Sequence, residues 1–162
     1  MIKTRKPPGL PKIGVRNLQR KIRVDLTALQ LFAERALAQC LDHHSGNKTQ
    51  LRQLAEISVL LISDQRMIDL HRRFLNESRA TDVITFDHGE IFISLETARR
   101  HARTFKSTFL RETQLYIVHG LLHLHGFDDQ NQAGAREMGE IQEKILGKLF
   151  VQRRGGKRAS IA

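Results

Sequence analysis

Three histidines and two aspartates lie close together in an otherwise apolar stretch, which reads HGLLHLHGFDD over residues 119–129. His119 and His123 are four residues apart, and on a helix this spacing places both side chains on one face, with about 5–6 Å between their Cβ atoms. Two imidazoles at that separation can bind one metal ion at metal-to-nitrogen distances of about 2.0–2.1 Å. We therefore interpret His119 and His123 as a pair of metal ligands.

The residues that follow His123 supply a candidate third ligand. Gly126 is expected to adopt the left-handed conformation that ends a helix and turns the chain back. Phe127 is then expected to pack in the core while one of the next two aspartates turns toward the ion. We expect Asp129 to be the third ligand and Asp128 to orient a ligand imidazole, although the two could exchange roles.

Three protein ligands leave one coordination position open, which is typical of catalytic rather than structural zinc sites. His125 lies two residues from His123 and projects elsewhere, so we interpret it as a helix-end histidine that interacts favourably with the helix dipole. The metzincin proteases share the ligand spacing, but they place a glutamate directly after the first histidine as general base. This chain has Gly120 there, which leaves a metzincin-like metalloprotease as a weak alternative.

Length and composition limit the class of protein. The chain has 162 residues, of which 40% are hydrophobic and 27% charged, as expected for one domain with its own core. No window approaches the roughly 18 uninterrupted apolar residues of a membrane span, so we expect a cytoplasmic protein without a membrane partner. The single cysteine, Cys40, cannot form an internal disulfide and is expected to be a small buried hydrophobe.

The formal net charge of +10 is concentrated at the two ends of the chain. Residues 1–23 hold eight Lys and Arg, residues 152–162 hold four, and the 15 basic and 17 acidic residues between them leave a net charge of −2. We predict a flexible basic arm over 1–12, a single metal-hydrolase-like domain over 13–151 and a basic tail over 152–162. Basic ends suit docking on a polyanion, although they would equally aid solubility.

Helical and strand patterns alternate along the chain. The spacing of apolar residues predicts an amphipathic helix over 26–41, a central apolar helix over about 111–125, and a last amphipathic helix that carries Met138 and Leu149. Strands are predicted at ISVLLIS (57–63), TDVITF (81–86) and EIFIS (90–94), with one or two more between residues 13 and 24. Asp64 and Ser94 are the expected N-caps of two further helices. This order predicts an α/β or α+β fold around one small sheet.

These motifs make the chain resemble the YbeY family, the endoribonucleases of bacterial ribosomal RNA maturation. HGLLHLHGFDD is similar to the family's H-G-x-L-H-L-x-G-Y-D-H, and TDVITF followed by HGEIFIS is similar to T-D-V-L-S-F and L-G-D-I-x-I-S. The similarity covers about residues 51–150. It implies a single α/β (α+β) domain with a small mixed four-stranded sheet and about five helices, and one zinc ion per chain. It also implies single-stranded ribosomal RNA and the small ribosomal subunit as partners, with no small-molecule cofactor.

The chain departs from the family pattern at two positions. The family's third zinc histidine is Asp129 here, and a carboxylate lowers the net charge of the site by one, which predicts a less acidic bound water and a weaker preference for zinc. The family's arginine that holds phosphate is replaced by Leu75. Arg72, Arg73 and Arg79 lie nearby and could supply the missing cation, or they could form a solvated helix face.

Glu90 and its neighbour His88 are candidates for proton transfer, although a glutamate at a strand edge is more often simply exposed. The predicted catalytic residues are thus Arg72, Arg73 and Glu90. The predicted function is a zinc-dependent, single-strand-specific endoribonuclease that acts in maturation of the 16S rRNA 3′ end and in ribosome quality control. The alternative from another class is a non-catalytic, metal-stabilised RNA-binding factor of ribosome assembly.

Overall fold

Four short strands form one mixed sheet in the computed structural model, which describes residues 9–44, 50–75 and 82–159. Strand β2 pairs in parallel with β1 and β4, and β3 pairs antiparallel with β4, in the order β1-β2-β4-β3. This arrangement confirms the predicted mixed four-stranded sheet. The strands are β1 (Lys12–Asn17), β2 (Glu56–Ile62), β3 (Val83–Phe86) and β4 (Glu90–Ser94).

Both faces of the sheet are buried, which explains why its central strands are apolar without interruption. Along β2, Val59 and Leu61 pack in the main core, whereas Leu60 and Ile62 pack with Met67 in a second, smaller core on the opposite face. Successive side chains of a strand point to opposite faces of a sheet. A strand that is covered on both sides therefore needs apolar residues on both faces.

Five α-helices within the described residues cover the sheet, which confirms the predicted number. A 3₁₀ turn at Gln50–Gln53 and a π-helical turn at His71–Leu75 accompany them. The helices are α1 (Leu26–Leu41), α2 (Asp64–Leu70), α3 (Leu95–Thr104), α4 (Phe109–Leu124) and α5 (Gln132–Ala159).

The helix ends follow local capping chemistry. Ser94 caps α3 as predicted, since its hydroxyl oxygen accepts the backbone N–H of Thr97 at 3.3 Å. The predicted Asp64 cap of α2 is wrong by one residue, because Ser63 accepts the N–H of Arg66 and Asp64 lies in the first turn. Both residue types accept backbone N–H groups well, so the pattern could not separate them.

Helix α1 matches its predicted bounds and buries Cys40 completely. Burial raises the pKa of the Cys40 thiol well above its ordinary range. A protonated, enclosed thiol is a poor nucleophile, which confirms the interpretation of Cys40 as a packing residue.

Helix α4 occupies the middle of the fold and packs on α1, α3, α5 and the β3–β4 side of the sheet. Its apolar residues are buried nearly all round, which confirms the prediction of a central helix. Helix α4 lies close to β4 at Gly120, where an added Cβ would lie 2.6 Å from Cγ2 of Ile91. The absence of a side chain at Gly120 therefore lets this part of α4 pack directly on the sheet.

The ends of the chain are described only in part. Residues 1–8 and 160–162 lie outside the described residues, and side chains are described as far as Phe150. The division into an arm, a domain and a tail therefore stays a prediction. Within the described ranges, none of the helices combines the length and apolar character that crossing a bilayer requires.

Replacing Gly120 with alanine should destabilise the protein by about 1–3 kcal/mol, because the new methyl group would overlap Ile91, which is fully buried. The matched control is Gly139→Ala in α5, where an added Cβ meets no atom within 4 Å. Alanine there should stabilise the helix by about 0.5–1 kcal/mol. Urea denaturation measures the free energy of unfolding of both variants. If the Gly120→Ala protein were as stable as the Gly139→Ala protein, α4 would not approach β4 so closely.

Candidate metal centre

The last two turns of α4 bring two imidazoles together. The Nε2 atoms of His119 and His123 are 3.0 Å apart, and both side chains are about a quarter exposed, at 23% and 28%. The carboxylate of Asp129 faces both rings, with Oδ2 at 3.4 Å from His119 Nε2 and Oδ1 at 3.5 Å from His123 Nε2. One ligand atom from each of the three residues thus lies within 4.8 Å of the others, and the group could hold a metal ion.

The turn after α4 explains how Asp129 reaches the histidines. Gly126 adopts a φ of 95°, its N–H donates to the carbonyl of His123 at 3.1 Å, and the N–H of Phe127 donates to the carbonyl of Leu122 at 3.0 Å. This pair of hydrogen bonds is the Schellman motif that ends a helix at a left-handed residue. Phe127 is buried at 5% exposure. The predicted glycine turn and its buried aromatic residue are both confirmed.

The two neighbouring aspartates have different surroundings. Asp128 Oδ1 accepts the backbone N–H of Gln130 at 3.0 Å, which stabilises the loop rather than orienting an imidazole. The Asp128 carbonyl lies against the first turn of α5, only 2.2 Å from where a Cβ on Gly134 would stand. The structure therefore brings Asp129, and not Asp128, to the histidines.

The donor atoms fit a metal ion in both spacing and charge. A tetrahedral ion at about 2.0–2.2 Å from its ligands sets ligand separations of about 3.3–3.6 Å, and the three separations here lie within or just below that range. Burial and the neighbouring His119 lower the pKa of His123, against the opposing influence of the Asp129 and Asp128 carboxylates. A lowered pKa keeps the imidazole neutral, and only a neutral imidazole donates a lone pair to a metal.

His125 faces away from this group. It is almost fully buried, at 1% exposure, and its Nε2 donates to the carbonyl oxygen of His43 at 2.6 Å. Burial is the main cause that lowers the pKa of His125, so the neutral form is favoured. His125 is the C-cap of α4, so the predicted helix-end position is confirmed, whereas burial disfavours the charged ring that would interact most strongly with the helix dipole.

The predicted catalytic residues lie on other elements. Arg72 and Arg73 are exposed in the π-helical turn that follows α2. Glu90 begins β4, and its Oε2 pairs with His88 Nε2 at 2.9 Å. Because Ile91 faces α4, strand alternation places Glu90 on the opposite face of the sheet. The catalytic roles of Arg72, Arg73 and Glu90 stay predictions, and Arg79 lies outside the described residues.

One polar contact of the centre was not predicted from the sequence. Gln142 of α5 places its Oε1 2.6 Å from Nδ1 of His119, across 23 residues of chain. The pattern around Gln142 shows only an amphipathic helix with Ile141 and Ile145 on its apolar side. Which polar residue of that helix meets α4 depends on how the two helices pack, and the spacing of residues does not contain that information.

Comparison with known proteins agrees with this geometry. The sequence model described as endoribonuclease YbeY matches residues 14–150. An endoribonuclease YbeY of Parabacteroides distasonis is 36% identical over 109 residues, which cover 63% of this chain and 77% of that protein. The endoribonuclease YbeY of Latilactobacillus sakei subsp. sakei is 29% identical over 153 residues, 80% of this chain and 97% of that protein.

A solved structure also resembles the fold. The solution structure of TM1509 from Thermotoga maritima superposes with a TM-score of 0.61 and 25% sequence identity. The match covers 89% of this chain and 93% of that chain.

Acidification should destabilise the metal-free protein. Burial lowers the pKa of His123 and His125 in the folded state, so the unfolded chain takes up protons at a higher pH than the folded chain does. The stability contributed by the neutral rings is thus present above about pH 6.5 and lost as the pH falls below it.

Urea denaturation in the presence of a chelator, at about pH 7.5 and about pH 5.5, measures this loss. His125→Gln keeps a donor for the His43 carbonyl but removes one titrating group, so this variant should lose less stability between the two pH values. An equal loss in the variant and the wild type would contradict the assignment to His125.

Proposed function

Since the chain belongs to the endoribonuclease YbeY family, we propose that it is a metal-dependent endoribonuclease that cleaves single-stranded RNA. We place its action at the 3′ end of 16S ribosomal RNA, in maturation and quality control of the small ribosomal subunit. One observation carries the proposal, namely that His119, His123 and Asp129 converge at the end of α4. Two imidazole nitrogens and a carboxylate oxygen this close together form a ligand set that one divalent cation can join.

We propose zinc as the ion, with one ion per chain. Two imidazole nitrogens and one carboxylate oxygen are a ligand set that zinc accepts, and three protein ligands leave one coordination position open. A bound zinc would supply polarisation of a phosphoryl oxygen and would make water more acidic. His119 and His123 act as neutral donors, while Asp129 offsets one of the two positive charges of a divalent cation.

Arg72, Arg73 and Glu90 are the proposed catalytic residues outside the metal ligands. The planar guanidinium group donates hydrogen bonds in a fork that matches phosphate, and both arginines are exposed where RNA can reach them. Glu90, hydrogen-bonded to His88 at the exposed β3–β4 turn, stays a proposed proton-transfer residue, and its position on the sheet face opposite α4 counts against direct contact with the metal centre.

Charge supports RNA as the partner. The span 24–151 has a net charge of −2, so the basic surplus of the chain lies in residues 1–23 and 152–162. We propose that these ends contact the RNA or the small ribosomal subunit in the cytoplasm. Such contacts release counterions from the phosphate backbone, so binding should weaken steeply with added salt.

The surroundings of Gly120 disfavour the protease alternative. A metzincin-like enzyme needs a glutamate at this position as its general base, but here even a methyl group would overlap Ile91. Peptide hydrolysis by that mechanism would require α4 to move away from the sheet. The non-catalytic RNA-binding alternative rests on Leu75, which stands where the family has an arginine, and an RNA cleavage assay separates it from the nuclease.

Purified protein should cleave single-stranded ribosomal RNA, lose this activity with chelator and recover it when zinc is added back. His119→Ala should reduce cleavage to background because it removes one of three ligands. RNA gel electrophoresis measures the products, and binding of the same RNA is measured in parallel. Cleavage that survives both chelation and the substitution would implicate a contaminating nuclease, whereas metal-bound protein that binds RNA without cutting would favour the assembly factor.

Asp129→His should increase zinc retention and move the acidic limb of the cleavage profile to lower pH. The reason is electrostatic, since a neutral imidazole in place of a carboxylate leaves one more positive charge at the centre. Metal analysis of protein purified without chelator and a pH series of initial rates measure the two effects. Equal zinc content together with identical pH profiles in the variant and the wild type would contradict Asp129 as a ligand.

A further inference from the structure

We propose that Gln142 is the positioning residue of the metal centre, because it fixes which nitrogen of His119 carries the proton. The inference rests on the proposed metal-dependent function and concerns the state of the site before an ion arrives. Its basis is the contact of 2.6 Å between Gln142 Oε1 and His119 Nδ1, in which a residue of α5 meets the first imidazole of α4.

The chemistry of the two groups determines the direction of this hydrogen bond. An amide oxygen only accepts, so Nδ1 of His119 must carry the proton and donate it. A neutral imidazole has one N–H, which leaves Nε2 of the same ring as a bare lone pair. That lone pair faces His123 Nε2 at 3.0 Å and Asp129 Oδ2 at 3.4 Å. Gln142 therefore directs the lone pair of His119 toward the other two ligands.

The two ligand histidines are held by different parts of the fold. The groups that surround the imidazole of His123 are His119, Asp129, Asp128 and the backbone of Phe127, all of which lie in α4 itself or in the turn and loop that follow it. His119 depends instead on α5, which begins beyond the loop that carries Asp129. The packing of α5 on α4 is therefore part of the centre, and a substitution there should weaken metal binding without removing a ligand.

Gln142 also supplies its oxygen without adding charge. A carboxylate at this place would accept the same proton but would bring a second anion close to Asp129. Partners that orient metal-binding histidines typically change metal affinity by about 10–100-fold when they are removed. We expect a loss of metal affinity of this size when the side chain at position 142 cannot accept a hydrogen bond. We expect little or no loss of metal affinity when that side chain is glutamate.

The test compares Gln142→Leu and Gln142→Glu with the wild type. Gln132→Leu, an exposed position of the same helix, serves as the matched control. Nitrogen-15 NMR of the imidazoles in metal-free protein should show His119 protonated at Nδ1 in the wild type and in Gln142→Glu, and a shift toward Nε2 protonation in Gln142→Leu. Zinc affinity, measured by competition with a chromogenic chelator, should fall about 10–100-fold in Gln142→Leu alone.

Two results would overturn the inference. One is a wild-type His119 protonated at Nε2, which would mean that the amide of Gln142 donates rather than accepts. The other is a Gln142→Leu protein with unchanged tautomer and unchanged zinc affinity. Both readouts are independent of RNA cleavage, so an inactive protein that retains the Nδ1 tautomer and binds zinc would contradict only the proposed nuclease. Thermal denaturation of each variant separates a folding defect from a local effect.

Discussion

The left-handed turn at Gly126 is the constraint on which the site depends. It ends α4 immediately after its histidines, places Phe127 in the core and reverses the chain so that Asp129 faces His119 and His123. A residue with a Cβ strains a backbone at a φ of 95°, so the position favours glycine. The three candidate ligands thus come from the end of one helix and the loop that follows it, and the burial of Phe127 holds that loop in place.

The arrangement also links metal binding to stability. The imidazoles are partly buried, and the chain lowers the pKa of His123 so that the ring stays neutral. The two Nε2 atoms and the Asp129 carboxylate lie 3.0–3.5 Å from one another, close enough for one cation to contact all three groups. A cation joins these donors favourably, and binding to the folded state alone stabilises that state. The absence of a side chain at Gly120 lets α4 lie this close to the sheet.

Local patterns in the sequence were sufficient for much of the fold and for bringing together the three residues of the candidate metal centre. The bounds of α1 and β4, the cap at Ser94 and the turn at Gly126 each depend on residues within one or two turns of one another. The face of β4 on which Glu90 lies and the partner of His119 depend on packing between distant segments. Gln142 resembles any other polar residue of an amphipathic helix until α5 is placed against α4. Tertiary contacts of this kind do not produce a periodic pattern in the sequence.

The most direct test of the account is zinc X-ray absorption spectroscopy of the protein loaded with one equivalent of zinc. A zinc ion bound by His119, His123 and Asp129 should be four-coordinate, with two imidazole nitrogens at about 2.0–2.1 Å and a carboxylate oxygen at about 2.0–2.2 Å. Scattering from the outer atoms of the imidazole ring shows how many histidines bind the ion, because oxygen ligands do not produce that pattern. A first shell of six oxygens, or a spectrum without imidazole scattering, would show that these three side chains do not form the metal centre.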